Sequence, residues 1–178
     1  MKKFLFADLD DTLFQSLEKC AGRDDLEPAA VLKDGVACSF TTAGQRAMFE
    51  FMNDGMTIIP ATARNQDAYS RVKIDFTSYA VINYGGVVLL PDGSADRGWL
   101  ERMRPAMLAA QDGLAELGRL IDAYVEAAGQ SSRCRIVEDY SIPFYLLIKD
   151  ADKIAARLEP IEREVVRPWL EARGHDYF

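Results

Sequence analysis

Three short apolar runs, "KFLFAD" near the start, "MTIIPAT" at 56–62 and "YAVIN" at 79–83, are separated by stretches with helix or hairpin signatures. No other feature of the chain constrains the fold as much. A near-continuous apolar strand needs cover on both faces, which parallel sheets flanked by helices provide. Between the first two runs, "AAVLKDGVACSF" (29–40) holds Asp34-Gly35 between apolar segments, a hairpin signature. Thr42 and Gln45 have the spacing of a capping box, opening a helix "AGQRAMFEFMND" that stops at Gly55. Asn65 is positioned to cap a short helix in "RNQDAYSRV". "GVVLLPDG" adds a short strand ending in a Pro-Asp-Gly turn. The order is strand, hairpin, helix, strand, helix, strand, which predicts an α/β unit with a parallel sheet.

The character changes at about residues 91–95. "GWLERMRPAMLAAQDGLAELGRLIDAYVEAA" reads as one long helical stretch with Pro105 near its start. "RCRIVEDY" and "PFYLLIKD" are strand candidates, and "ADKIAARLEPIEREVVRPWLEARG" is a helix disturbed by Pro160 and ended by Gly174. Helix-strand-strand-helix order predicts a separate α+β unit. The expected division is residues 1–92 and 93–178.

Composition narrows the function classes. With 28 acidic against 21 basic residues the net charge is −7, and no basic block stands out, so a nucleic-acid surface is not expected. The cysteines Cys20, Cys38 and Cys134 are odd in number and widely spaced, which argues against a disulfide scaffold or a zinc site. The single histidine, His175, reads as a solvated tail residue, so a His-based metal site is not expected. Lys2 and Lys3 precede an apolar run too short for a signal peptide, and no stretch is long enough for a membrane span. A cytoplasmic protein with no membrane partner is the expectation.

The first apolar run ends in Asp8, followed by Asp10, Asp11 and Thr12. Ligands of parallel α/β sheets sit beyond the carboxyl ends of the strands. Asp8 closes the first strand, Thr62 the second and Asn83 the third, so three polar groups distant in sequence are predicted on one rim. Carboxylates two positions apart can project to one side as the chain leaves the strand. A Mg²⁺ ion takes one or two carboxylates with water and substrate phosphate, and would relieve their repulsion. Asp8 could then act as a phosphoryl acceptor and Asp10 as general acid and base, with Thr62 donating to phosphoryl oxygens. On spacing alone, a solvated turn after a strand explains the aspartates equally well.

"DLDDT" after an apolar strand resembles the DxDxT signature of the haloacid dehalogenase (HAD) superfamily, most of whose members are Mg²⁺-dependent phosphatases. "TIIPATAR" resembles the family's second motif, an apolar strand ending in Thr or Ser. "VINYGG" resembles a segment of its sugar-phosphatase branch, which inserts an α+β cap after the third strand. The resemblance implies a parallel Rossmann-like core, incomplete here with about three strands, plus a cap. It implies Asp8 as nucleophile and metal ligand, Asp10 as acid/base with its carbonyl on the metal, and Thr62 as phosphate binder. Thr12 would orient Asp10 and the loop, and Asn83 would face the site. Arg64 would either assist the phosphate or pair with an acid at a helix start. Asp11 stands where many members have glycine. The implied substrate is a small phosphorylated metabolite, probed first among sugar phosphates.

Two family motifs have no counterpart in the chain. Lys149 and Lys153 fall on a cap strand and the helix after it, and match the family lysine poorly. No Gly-Asp pair is present for the acidic metal-binding motif. Without the strands that carry them, "KFLFADL" becomes a bare apolar edge, open to self-association. The expectation is a phosphohydrolase whose catalysis needs segments beyond residue 178; the alternative is a non-catalytic phosphate-binding or interaction module. A phosphorelay receiver would need its phosphoacceptor Asp at the end of a later strand, where this chain has Thr62 and Asn83.

Overall fold

The computed structural model describes residues 2–174. The chain is a mixed α/β protein that divides into two compact units, Met1–Met103 and Arg104–Phe178.

Unit 1 begins with strand β1 (Phe4–Ala7), which pairs in parallel with β5 (Thr57–Pro60). A single parallel bridge, Ala61 to Val81, joins β5 to β6 (Ala80–Ile82), and Thr62 N–H donates to the Val81 carbonyl at 2.9 Å. The expected parallel sheet is therefore present as one full pair extended by one bridge. The remaining pairings are antiparallel: β6 with β7 (Val87–Leu89), and β2 (Gln15–Ser16) and β3 (Glu27–Val31) on either side of β4 (Ala37–Thr41). The β3–β4 hairpin turns through Asp34 and Gly35, whose φ of +85° suits a residue without Cβ. Helix α1 (Ala43–Gly55) starts at a complete capping box: Thr42 Oγ1 accepts from Gln45 N–H, and Gln45 Oε1 accepts from Thr42 N–H. Asn65 caps α2 (Gln66–Tyr69) by accepting from Ala68 N–H.

One face of the β1–β5 pair carries the core. Ala7 and Ile58 pack with Leu9, Leu13, Phe14 and Ala29, backed by Phe49 and Met52 of α1. The opposite face is open, with Phe4 59% and Phe6 64% exposed. Among the described residues, no strand pairs with the free edge of β1.

The long helical stretch is two helices, α3 (Arg97–Ala109) and α4 (Gln111–Ala127), and the unit boundary falls within α3. They part at Ala110, whose N–H is shared between the Ala106 and Met107 carbonyls, a tightened last turn. Pro105 lies inside α3 rather than breaking it.

In unit 2, β8 (Ser132–Asp139) and β9 (Ile142–Asp150) form an antiparallel hairpin around Tyr140 and Ser141, both at positive φ. Leu117, Ile121 and Val125 of α4 pack with Ile161, Cys134, Leu146, Ile148 and Trp169. The last helical region runs through α5 (Leu158–Ile161), a π-helical segment Glu162–Val166 and α6 (Arg167–Arg173). Pro160 lies within α5, just before the π-helical segment rather than in it. Pro168 has no N–H to offer one turn back, and the wider π register immediately precedes it. Gly174 ends α6 in the left-handed region, as its position predicts.

Candidate active site

A cavity of about 560 Å³ opens at the carboxyl ends of β1 and β5, lined by Asp8, Asp10, Ala61, Thr62, Ala63, Val81, Tyr84 and Gly85. Three of the residues singled out from sequence, Asp8, Asp10 and Thr62, thus meet on one surface. Thr12, Arg64 and Asn83 do not line it.

The loop after β1 is folded by its apolar residues. Leu9, Leu13 and Phe14 are fully buried, which turns the intervening polar positions outward. Leu13 and Phe14 N–H groups both donate to the Leu9 carbonyl. Asp11 sits at φ 63°, a left-handed conformation that glycine enters without strain and aspartate tolerates. The Thr12 carbonyl accepts from Gln45 Nε2 at 3.0 Å, so the capping box of α1 also pins this loop.

The repulsion among the three aspartates is relieved unevenly. Asp11 pairs with Lys19 at 2.5 Å. Asp10 takes a two-point grip from Arg64, Nε to Oδ2 and Nη2 to Oδ1, both at 2.8 Å. Asp8 accepts only from the N–H of Leu9, at 2.8 Å, and has no cationic partner among the described residues. Arg64 is held further by its Nη1 bond to the Ala68 carbonyl and by the Phe14 ring, 5.0 Å beneath the guanidinium. Its side chain is 16% exposed. Asp10 holds the guanidinium above its usual basicity. The acid that Arg64 pairs with is thus a member of the cluster itself, 54 positions away.

Thr62 is buried, and its Oγ1 accepts from Arg64 N–H at 3.2 Å, which leaves the hydroxyl proton to donate elsewhere. Asn83 is also buried, beneath the rim; its N–H donates to the Arg64 carbonyl at 2.9 Å. Asn83, Tyr84 and Gly85 all have positive φ, and this tight turn carries Tyr84 and Gly85 to the cavity mouth. Left-handed backbone at a tyrosine costs on the order of 1–3 kcal/mol. Here it is fixed by Tyr84 N–H donating to the Thr62 carbonyl. Tyr84 was not singled out from sequence; the Gly85-Gly86 pair following it is the signal for a turn at this rim. Lys19 was missed as well, since nothing local ties it to Asp11.

The oxygen donors at the cavity suit Mg²⁺ chemically. They are few: among the described residues no group of three or more His, Cys, Asp or Glu side chains could hold a metal ion. His175 and Asp176 lie outside the described residues. No helix among the described residues is long and apolar enough to cross a membrane.

Arg64→Ala is expected to destabilise unit 1 by about 1–3 kcal/mol, because charge-assisted bonds, the Ala68 bond and the cover over Phe14 are lost together. Arg64→Lys should recover only part of this, since an ammonium cannot make the planar two-point grip. Urea unfolding checks both; an unchanged midpoint in the alanine variant would show the grip to be energetically idle.

No family model matches the chain, and no curated protein matches it.

Proposed function

We propose that the unit 1 cavity is a phosphoryl site of the HAD type, and that the chain carries the nucleophile half of a Mg²⁺-dependent phosphohydrolase acting on a small phosphate monoester such as a sugar phosphate. The observation that supports this best is the pairing pattern of the aspartates. Of the three clustered aspartates, Asp8 alone has no cationic partner among the described residues, and it shares the cavity with the buried hydroxyl of Thr62.

In this reading an Asp8 carboxylate oxygen attacks phosphorus, forming a P–O bond as the bond to the leaving oxygen breaks. Asp10 gives the leaving oxygen its proton, then takes one from the water that attacks the aspartyl phosphate and releases inorganic phosphate. Thr62 donates to a phosphoryl oxygen. Mg²⁺ would be held by the Asp8 carboxylate and the Asp10 carbonyl and would offset negative charge between enzyme and phosphate. A lysine and a further acid are still required, and no described residue brings them to the cavity. The same reading places a further strand on the open edge of β1, supplied by more of this chain or by another copy.

A second reading, a non-catalytic phosphate-binding or interaction module, is favoured by one observation. Both oxygens of Asp10 are engaged by Arg64, which must let go before Asp10 can carry a proton.

Residues 1–178 alone are expected to hydrolyse phosphate esters at background rate and to bind Mg²⁺ weakly, because electrostatic stabilisation is usually the largest catalytic contribution. The complete gene product is expected to turn over at least one ester on a sugar-phosphate panel, and to stop when metal is chelated. Equal rates with Mg²⁺ and with chelator, or no turnover on any ester, would leave the binding module as the better account. Rapid turnover by residues 1–178 would show that the missing groups lie within them.

A further inference from the structure

We propose that the exposed face of the β8–β9 hairpin in unit 2 is a binding site for a compact phosphate group, held by Arg133, Arg135 and Lys149. The hairpin has two unlike faces. Cys134, Leu146 and Ile148 pack against the unit 2 core. Alternation then sends Arg133, Arg135 and Lys149 to the other side, where all three are exposed.

The register brings the three together. Arg133 lies directly opposite Lys149, and Arg135 opposite Leu147. Opposed positions on an antiparallel pair stand about 5 Å apart at Cβ, and like charges so placed are destabilising. Arg135 is two positions along the same face, within reach of the same point. A cavity of about 360 Å³ lies over them, lined by Arg133, Cys134, Arg135, Leu147 and Lys149. That volume is in the range of small-molecule sites.

Two further features point to an anion. Arg157, Arg163, Arg167 and Arg173 of the same unit each hold an acid, and one of these pairs, Arg173 with Glu116, is very close. Arg133, Arg135 and Lys149 have no acidic partner among the described residues, although the chain has an excess of seven acids. The nearest carboxylate in sequence, Asp150, is buried and occupied by Ser132, Arg157 and the N–H of Ile154. A cationic cross-strand pair kept free of acids becomes favourable once a phosphate bridges it, and guanidinium forks fit phosphate oxygens two at a time. The chain's net charge of −7 favours a small ligand: a compact anion meets the local trio, whereas a long polyanion meets the acidic surface around it. The proposal stands independently of the unit 1 chemistry.

The test is calorimetric titration of the 178-residue chain with inorganic phosphate at constant ionic strength, with EDTA present. EDTA removes metal-assisted phosphate binding at Asp8, and the hairpin variants assign the remaining heats. Saturable binding is expected, and Arg135→Gln and Lys149→Gln should each weaken it at least about tenfold, the loss of one charge-assisted contact. Lys149→Gln should also melt slightly higher than wild type in low salt without phosphate, because the opposed cations are relieved, and should lose the stabilisation by phosphate that wild type shows. Absence of binding, or equal binding by both variants, overturns the proposal. Tighter binding of an oligonucleotide or of phosphatidylserine vesicles, with the same dependence on Arg135 and Lys149, overturns it in favour of a nucleic-acid or membrane surface.

Discussion

Asp8→Asn is expected to lower the phosphatase turnover of the complete gene product by on the order of a thousandfold or more, the scale seen when a covalent nucleophile is removed. The asparagine amide has nearly the same shape, and its oxygen can still accept from Leu9 N–H. The loop should therefore keep its fold, and the melting temperature should stay where it is. What is lost is the negative oxygen that, in the proposed mechanism, bonds to phosphorus. A variant that keeps the wild-type rate would show that Asp8 is not the acceptor; a variant that loses rate and melting temperature together would point to a role in folding.

Phe14→Ala is expected to destabilise unit 1 by about 3–5 kcal/mol, the usual cost of emptying a buried aromatic site. That is a large part of the roughly 5–15 kcal/mol by which a domain is stable. Phe14 is fully buried in the cluster of Ala7, Leu9, Leu13, Ala29 and Ile58. It is also the floor on which the Arg64 guanidinium rests. The substitution removes core volume and the support of the Arg64–Asp10 grip at once. Urea unfolding should show a clear fall in midpoint, and Phe14→Leu should restore most of it. A loss under about 1 kcal/mol would mean the loop after β1 is held by something other than its apolar anchors.

What could be read from sequence was what local chemistry decides. Thr42 and Gln45 satisfy each other's backbone groups within one turn, so their spacing is enough to place the start of α1. Asn65 and the Asp34-Gly35 turn are equally local. Asp8, Asp10 and Thr62 could be placed together because strand ends of a parallel sheet share one rim, and the cavity at β1 and β5 is lined by all three. The partition of charge could not be read. That Asp10 goes to Arg64 and Asp11 to Lys19 depends on where Leu9, Leu13 and Phe14 bury the loop, a tertiary result with no local signature. The break at Ala110 was illegible because alanine and glutamine there both favour a continuous helix, so no local signal marks the stop. The left-handed backbone at Tyr84 goes against the residue's own preference, which is why the turn reads only from the glycines after it.

A phosphoryl group transferred to Asp8, as proposed, can be trapped during turnover. The complete gene product, quenched during turnover of a phosphate ester in the presence of hydroxylamine, should carry a hydroxamate on Asp8, found by mass spectrometry of the peptide containing "FADLDDTLF". Asp10 and Asp11 should be unmodified, and chelation of the metal should abolish the adduct. A hydroxamate on another residue, or none while product is accumulating, would contradict the account.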